Sequence, residues 1–130
     1  MTLRGTTRPP WFAAALVCLG AAPVAAQQDL DSVKADPAHH KVEFENDQVR
    51  IVRYVIPPGD KTAQHSHPNN VNVLLTDVNA KFITPDGKIS EVHGKAGAAA
   101  WRSSTTHAVE NTGNKPIEGI LVELKGASGT

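Results

Sequence analysis

Beyond about residue 40 the chain alternates between short apolar runs and clusters of turn-forming residues. The runs are Lys41–Glu45, Val49–Ile56, Val71–Thr76, Ala80–Thr84, Lys88–His93, Ala98–Trp101, His107–Asn111 and Ile117–Leu124. Stretches of this length and composition, bounded by Gly, Pro, Asn and Asp, are the pattern of β-strands. Asn46-Asp47, Pro57-Pro58-Gly59-Asp60, Pro85-Asp86-Gly87, Gly94 with Gly97, and Asn111-Thr112-Gly113-Asn114 separate them. Asp86-Gly87 between two runs predicts a hairpin. No segment keeps a helical apolar period over a useful length, so the pattern predicts an all-β fold of antiparallel strands, a sandwich or small barrel, with no major helix.

In Val49–Ile56 both alternating sets contain apolar residues, as in a strand packed on its inner face and partly covered on its outer one. Arg50 and Tyr54 are assigned to the outer face, and the surplus apolar surface predicts a homodimer interface. Residues 27–40 are polar and aperiodic, which predicts a short N-terminal arm rather than a core element, free to lie across a partner or a barrel edge. The barrel domain is expected over 41–125, with a flexible C-terminal tail at 126–130.

Met1–Ala26 changes this picture, because Arg4 and Arg8 precede an apolar run, Trp11–Ala22, and then Val24-Ala25-Ala26. That order reads as a secretory signal peptide cleaved after Ala26, giving a periplasmic or secreted protein. Gly20 and Pro23 leave the run short of the ~20 residues a membrane-spanning helix needs. The one cysteine, Cys18, lies inside the leader, so disulfides and thiolate ligands are excluded from the mature chain. A mature chain of about 100 residues suits one domain. The balanced charge of the full chain turns slightly acidic once Arg4 and Arg8 are removed, and no Lys/Arg cluster offers the footprint of a nucleic-acid binder.

The candidate chemistry is in the histidines. His65-Ser66-His67 puts two imidazoles on one face of a strand, and His107 follows on another. Neutral imidazole is the commonest protein metal ligand, and three nitrogens leave coordination positions open for something else. Ser66 should point away from both histidines, and Glu110 lies on the face opposite His107 and Asn111. His39 and His40, adjacent in the polar arm, are expected as a solvated pair, and His93 is expected to face solvent. Trp101 is assigned to the core, with the pocket lining as its second place, Tyr54 to either an interface or the site, and Val71, Val73 and Val109 to an apolar inner wall. Arg102 is either a solvated loop residue or a cation at the pocket mouth.

Gly59, His65 and His67, followed by His107 and Asn111, resemble the two signature motifs of the cupin superfamily, over about Val42 to Leu124. The first motif is Gly, five residues, His-x-His, three or four residues, Glu, six residues, Gly. Here Asn72 stands at the glutamate and Asn79 at the second glycine, where asparagine also tolerates a left-handed backbone. Of the second motif only the end is kept, His107-Ala-Val-Glu-Asn111, with Arg102 at the proline position and Ser104 at the glycine after it. The resemblance implies a small jelly-roll (cupin) β-barrel with His65, His67 and His107 as metal ligands. The expected cofactor is one divalent ion: Fe, Zn or Mn. Asn72 is left with three roles: weak ligand, ligand through water, or bystander.

Three functions remain open. One is an exported cupin whose metal site holds a small-molecule ligand without turnover. A second is a metal-dependent, Fe-type dioxygenase or an isomerase acting on a small substrate. The third is a metal-free structural cupin acting through its dimer surface. The absence of an evident general acid or base favours the first.

Overall fold

The computed structural model describes residues 20–22 and 28–126. The expected leader falls almost wholly outside the described residues, as does most of the expected C-terminal tail. The order of elements is a single helical turn, α1 (Ser32–Ala35), then β1 (His40–Glu45), β2 (Val49–Ile56), β3 (His65–His67), β4 (Asn70–Leu74), β5 (Val78–Ile83), β6 (Ile89–Gly94), β7 (Ala99–Arg102), β8 (Thr105–Asn111) and β9 (Ile117–Leu124). The strands pair antiparallel into a five-stranded sheet, β1-β2-β9-β4-β7, and a four-stranded sheet, β3-β8-β5-β6.

Register decides what each face carries. In the five-stranded sheet, three rows of cross-strand partners point inward. Arg50, Glu123, Asn70 and Arg102 form one row, Val42, Val52, Leu121, Asn72 and Ala100 the next, and His40, Tyr54, Gly119 and Leu74 the third. The core is Val52, Ile56, Leu121 and Ile117 from this sheet, packed on Val78, Ala80 and Val109 of the other, with Tyr54 beside them. On the outer face, Phe44, Ile51, Val122, Val71 and Trp101 pair in one row across all five strands. The register shift between Val42 and Phe44 puts Phe44 in that row. One extra residue in a strand turns every later side chain to the other face.

Several expectations from the sequence are corrected by this register. Tyr54 and Arg50 belong to the inner face, because they alternate with Val52, which is fully buried. Val71 and Val73 face outward, and Asn70, Asn72 and Leu74 line the interior instead. Trp101 is 54 % exposed on the outer face rather than buried in the core. The arm is not wholly outside the core: Ser32 and Asp36 are buried, and the Leu30 carbonyl accepts a hydrogen bond from Ser66 N. Asn79 lies within β5 with a negative φ, so it supplies no left-handed turn, and its side chain accepts from His93 Nδ1 at 2.8 Å.

The Asp86-Gly87 hairpin forms as expected, with Gly87 at φ 83° and its N–H donating to the Thr84 carbonyl. Gly59 is also left-handed, at φ 77°, and its N–H donates to the Asn111 carbonyl at 3.1 Å. Buried Asn111 donates from Nδ2 to the Ile56 and Lys115 carbonyls and accepts from Gly113 N. The two motif residues thus tie the end of β8 to the turn that precedes the histidine strand. Their work is positional.

Candidate metal centre

β3 pairs with β8 so that His65 lies opposite His107, both pointing into the space between the sheets. His67, one alternation further along β3, points the same way, while the Ser66 hydroxyl turns outward to Thr106 at 2.6 Å. The ring centroids of His65 and His67 are 4.7 Å apart, and His107 lies 5.0 Å from His65 and 5.6 Å from His67. A fourth ring joins them from the other sheet. His40, first residue of β1, sits 4.5 Å from His65 and 5.6 Å from His67, and potential ligand nitrogens of His40, His65 and His67 lie within 4.8 Å of one another.

His40 is therefore not half of a solvated pair. It is 5 % exposed, because the inner row of β1 carries it opposite Tyr54. Its neighbour His39 turns the other way, bonding Asp36 through Nδ1 at 2.8 Å and Asp60 through Nε2 at 3.2 Å.

The donor set suits a cation. His65 Nδ1 donates to the Ala63 carbonyl at 2.8 Å, His40 Nδ1 to the Asp36 carbonyl at 3.2 Å, and His67 Nδ1 to the Glu123 carboxylate at 3.0 Å. Carbonyl and carboxylate oxygens only accept, so Nδ1 carries the proton in each neutral ring and Nε2 keeps its lone pair. Metal-ligating histidines are typically held this way from behind. Burial first, and then the neighbouring imidazoles His65 and His67, push His40 and His107 down to about 3. Burial also lowers His65. At neutral pH these rings are uncharged, the form that ligates.

Asn72, at the usual carboxylate position, spends its side-chain oxygen elsewhere: it accepts from Tyr54 Oη at 3.0 Å. Tyr54 reaches it across β9, over Gly119, its cross-strand partner. A Cβ at Gly119 would press into the tyrosine ring, reaching Cε1 at 2.7 Å.

Beyond the histidines the cavity opens to about 370 Å³, walled by Leu74, Val78, Phe82 and Val92, with Phe82 against the edge of His107 at 4.7 Å. Arg102 stands at its mouth as the only arginine among the described residues without a carboxylate partner; Arg50 and Arg53 are both paired. His93 is solvent-exposed at the rim, and Glu110 faces away, paired across strands with Lys81. Among the described residues no carboxylate lines the cavity.

Sequence reasoning missed His40 and Glu123. His40 alternates with Val42 and so belongs to the inner face once β1 is begun one residue earlier. Glu123 continues the inward alternation Ile117, Gly119, Leu121, where a charged residue signals a buried polar role.

No family model and no curated protein matches this chain, but solved structures do. A cupin domain from Bordetella pertussis Tohama I is 25 % identical, covers 67 % of this chain and 92 % of its own, and superposes with a TM-score of 0.62. An uncharacterized conserved protein with a double-stranded β-helix domain from Klebsiella pneumoniae is also 25 % identical, covering 69 % of this chain and 78 % of its own at a TM-score of 0.54. An RmlC-like cupin family protein from Methanocaldococcus jannaschii, at 16 % identity, covers 66 % and 80 % with a TM-score of 0.51 and shares the fold.

Proposed function

We propose that this chain, a member of the cupin superfamily, binds one divalent metal ion and uses it to hold a small-molecule ligand in the barrel cavity. The observation that carries this is the convergence of His40, His65 and His67, each with Nδ1 engaged from behind and Nε2 left free. His107, expected from the sequence as a ligand, borders this set from β8 with its ring 5.0 Å from that of His65, outside the group whose ligand nitrogens lie within 4.8 Å of one another. No carboxylate belongs to this set, so an ion held there would keep its full charge. Held by these residues, such an ion would supply Lewis acidity toward an anionic ligand oxygen or lower the pKa of a bound water.

Arg102 adds a second positive charge on the same cavity, and the walls between are apolar. That combination favours a small acid with an apolar body. The cavity is at the small end of the ~300–1,000 Å³ typical of ligand pockets. Binding without turnover is the preferred reading, because among the described residues no Asp or Glu lines the cavity to serve as acid or base. A Fe-type dioxygenase is the second reading. It draws on the same neutral histidine set, where an oxidisable ion would supply redox chemistry.

Elemental analysis of the purified protein, with titration of Fe, Zn and Mn into the apoprotein, tests the proposal. One equivalent of metal in the wild type is expected, with loss in the His65→Ala/His67→Ala variant. Metal at background in both would overturn it. Oxygen uptake over a panel of small acids separates binding from oxidation.

Export to the periplasm or medium is proposed from the leader. Self-association is proposed through the outer sheet face. The row Phe44, Ile51, Val122, Val71, Trp101 is centred on Val122 of the middle strand. A two-fold axis there lays the Phe44 edge on the partner copy's Trp101 edge, the self-complementary arrangement a homodimer requires.

A further inference from the structure

A metal site that lacks its carboxylate ligand still has a carboxylate one hydrogen bond away. Glu123, 1 % exposed, accepts from His67 Nδ1 through Oε1. Its other oxygen accepts from Arg50 Nε at 2.7 Å, and the same guanidinium grips both oxygens of Asp31, at 3.2 and 2.6 Å. Register makes this inevitable once the strands pair: Arg50 lies opposite Glu123 on the inner face of β2 and β9. Asp31 is the N-cap of α1, its side chain accepting from Val33 N.

The charges do not cancel. Two carboxylates share one guanidinium, leaving about one negative charge on a network that is buried at its Glu123 end and 25 % exposed at Asp31. A buried charge without a counterpart is costly. A divalent ion held on His67 Nε2 would supply the counterpart from the far side of the imidazole, through a ring whose Nδ1–H donates to Glu123. The same N-terminal segment touches the centre at two further points. The Leu30 carbonyl accepts from Ser66 N, between the paired histidines, at 2.6 Å, and the Asp36 carbonyl accepts from His40 Nδ1.

Building on the metal reading above, we infer that Glu123 is the charge-balancing carboxylate of this centre, acting through His67 as a positioning residue. Arg50 and Asp31 extend its action to the segment Leu30–Asp36, whose docking and metal occupancy stabilise each other. The alternative is that Glu123 is only the buried counter-ion of Arg50, in which case its loss lowers stability and leaves metal affinity alone.

Zinc titration against a chromophoric chelator on full-length wild type, Glu123→Gln and Asp31→Asn, with amide hydrogen exchange of residues 30–36 with and without zinc, separates the two. Glu123→Gln is expected to weaken zinc binding by about 10–100-fold, the usual effect of removing such an outer partner. Asp31→Asn, which leaves the His67–Glu123 pair in place, is expected to weaken it less. In the wild type zinc should slow exchange across residues 30–36, since coupling between two sites is reciprocal. Unchanged zinc affinity in folded Glu123→Gln overturns the inference, as does exchange in the segment that ignores zinc. Should Glu123→Gln fail to fold, Asp31→Asn and the wild-type exchange decide: affinity and protection that neither variant nor metal alters overturn it. A wild type that takes up no zinc or other divalent ion is a different result, which removes the metal reading itself.

Discussion

Acidifying the metal-free protein below pH 6.5 should destabilise it far more steeply than an ordinary small domain, because burial disfavours the charged forms of His40, His65 and His107. His40 and His107 titrate near 3 when folded, against 6.5 for a free side chain. A group whose folded value is depressed takes up its proton in the unfolded chain first, so stability is full above about 6.5 and falls as pH drops toward 3. Each such group contributes about 1.4 kcal/mol per pH unit inside that window. Between pH 6.5 and 5 the pair together removes about 3 kcal/mol, a large part of the ~5–15 kcal/mol that a domain has. His65, also depressed by burial, adds in the same direction.

Other groups act outside this window. Burial opposes ionisation of His39, but its bonds to Asp36 and Asp60 win and raise it, so its contribution is present below 6.5 and lost only as pH rises through its folded value. Asp31 is held below 3.8, despite partial burial, by Arg50, so its contribution is lost only at more acid pH. Urea unfolding of chelator-treated protein at half-unit steps from pH 7 to 5 measures the slope. His40→Ala should roughly halve it. A wild-type loss under about 1 kcal/mol across the window, or a His40→Ala slope equal to wild type, would refute the claim that these rings are buried neutral.

Three other outcomes are expected. Gly119→Ala should cost about 1–3 kcal/mol in urea unfolding, because the new methyl displaces Tyr54 from its bond to Asn72. Arg102→Ala should weaken calorimetric binding of small carboxylates to the metal-loaded protein without lowering metal content, since Arg102 lies at the mouth and is not a ligand. Val122→Lys, at the centre of the outer apolar row, should convert a dimer to monomer in sedimentation equilibrium; a wild type already monomeric would dismiss that interface.

The strand runs, the hairpin at Asp86-Gly87 and the inward pair His65 and His67 were legible because each depends on local rules: alternation, turn chemistry and spacing. Inner and outer faces were less so. The apolar content of β2 is nearly symmetric, and only pairing with β9, where Gly119 and Glu123 alternate with Leu121, shows that Tyr54 and Arg50 point inward. Val71 and Val73 misled for the same reason, since an exposed apolar row on the outer face resembles a core-facing one in sequence. His40 was hidden by a boundary: one residue separates a polar arm from the first strand. Glu123 lies 56 residues from His67, and no local pattern announces a hydrogen bond between strands that meet only in the folded barrel.

The central claim is that Nε2 atoms from both sheets converge on one ion. Anomalous diffraction from crystals of metal-loaded protein, collected at the metal's absorption edge, tests it most directly. A single strong peak is expected, bonded to Nε2 of His40, His65 and His67 at about 2.0–2.2 Å, with His107 beside it. A peak bound through Nδ1, or at surface carboxylates with the four histidines empty, would contradict it.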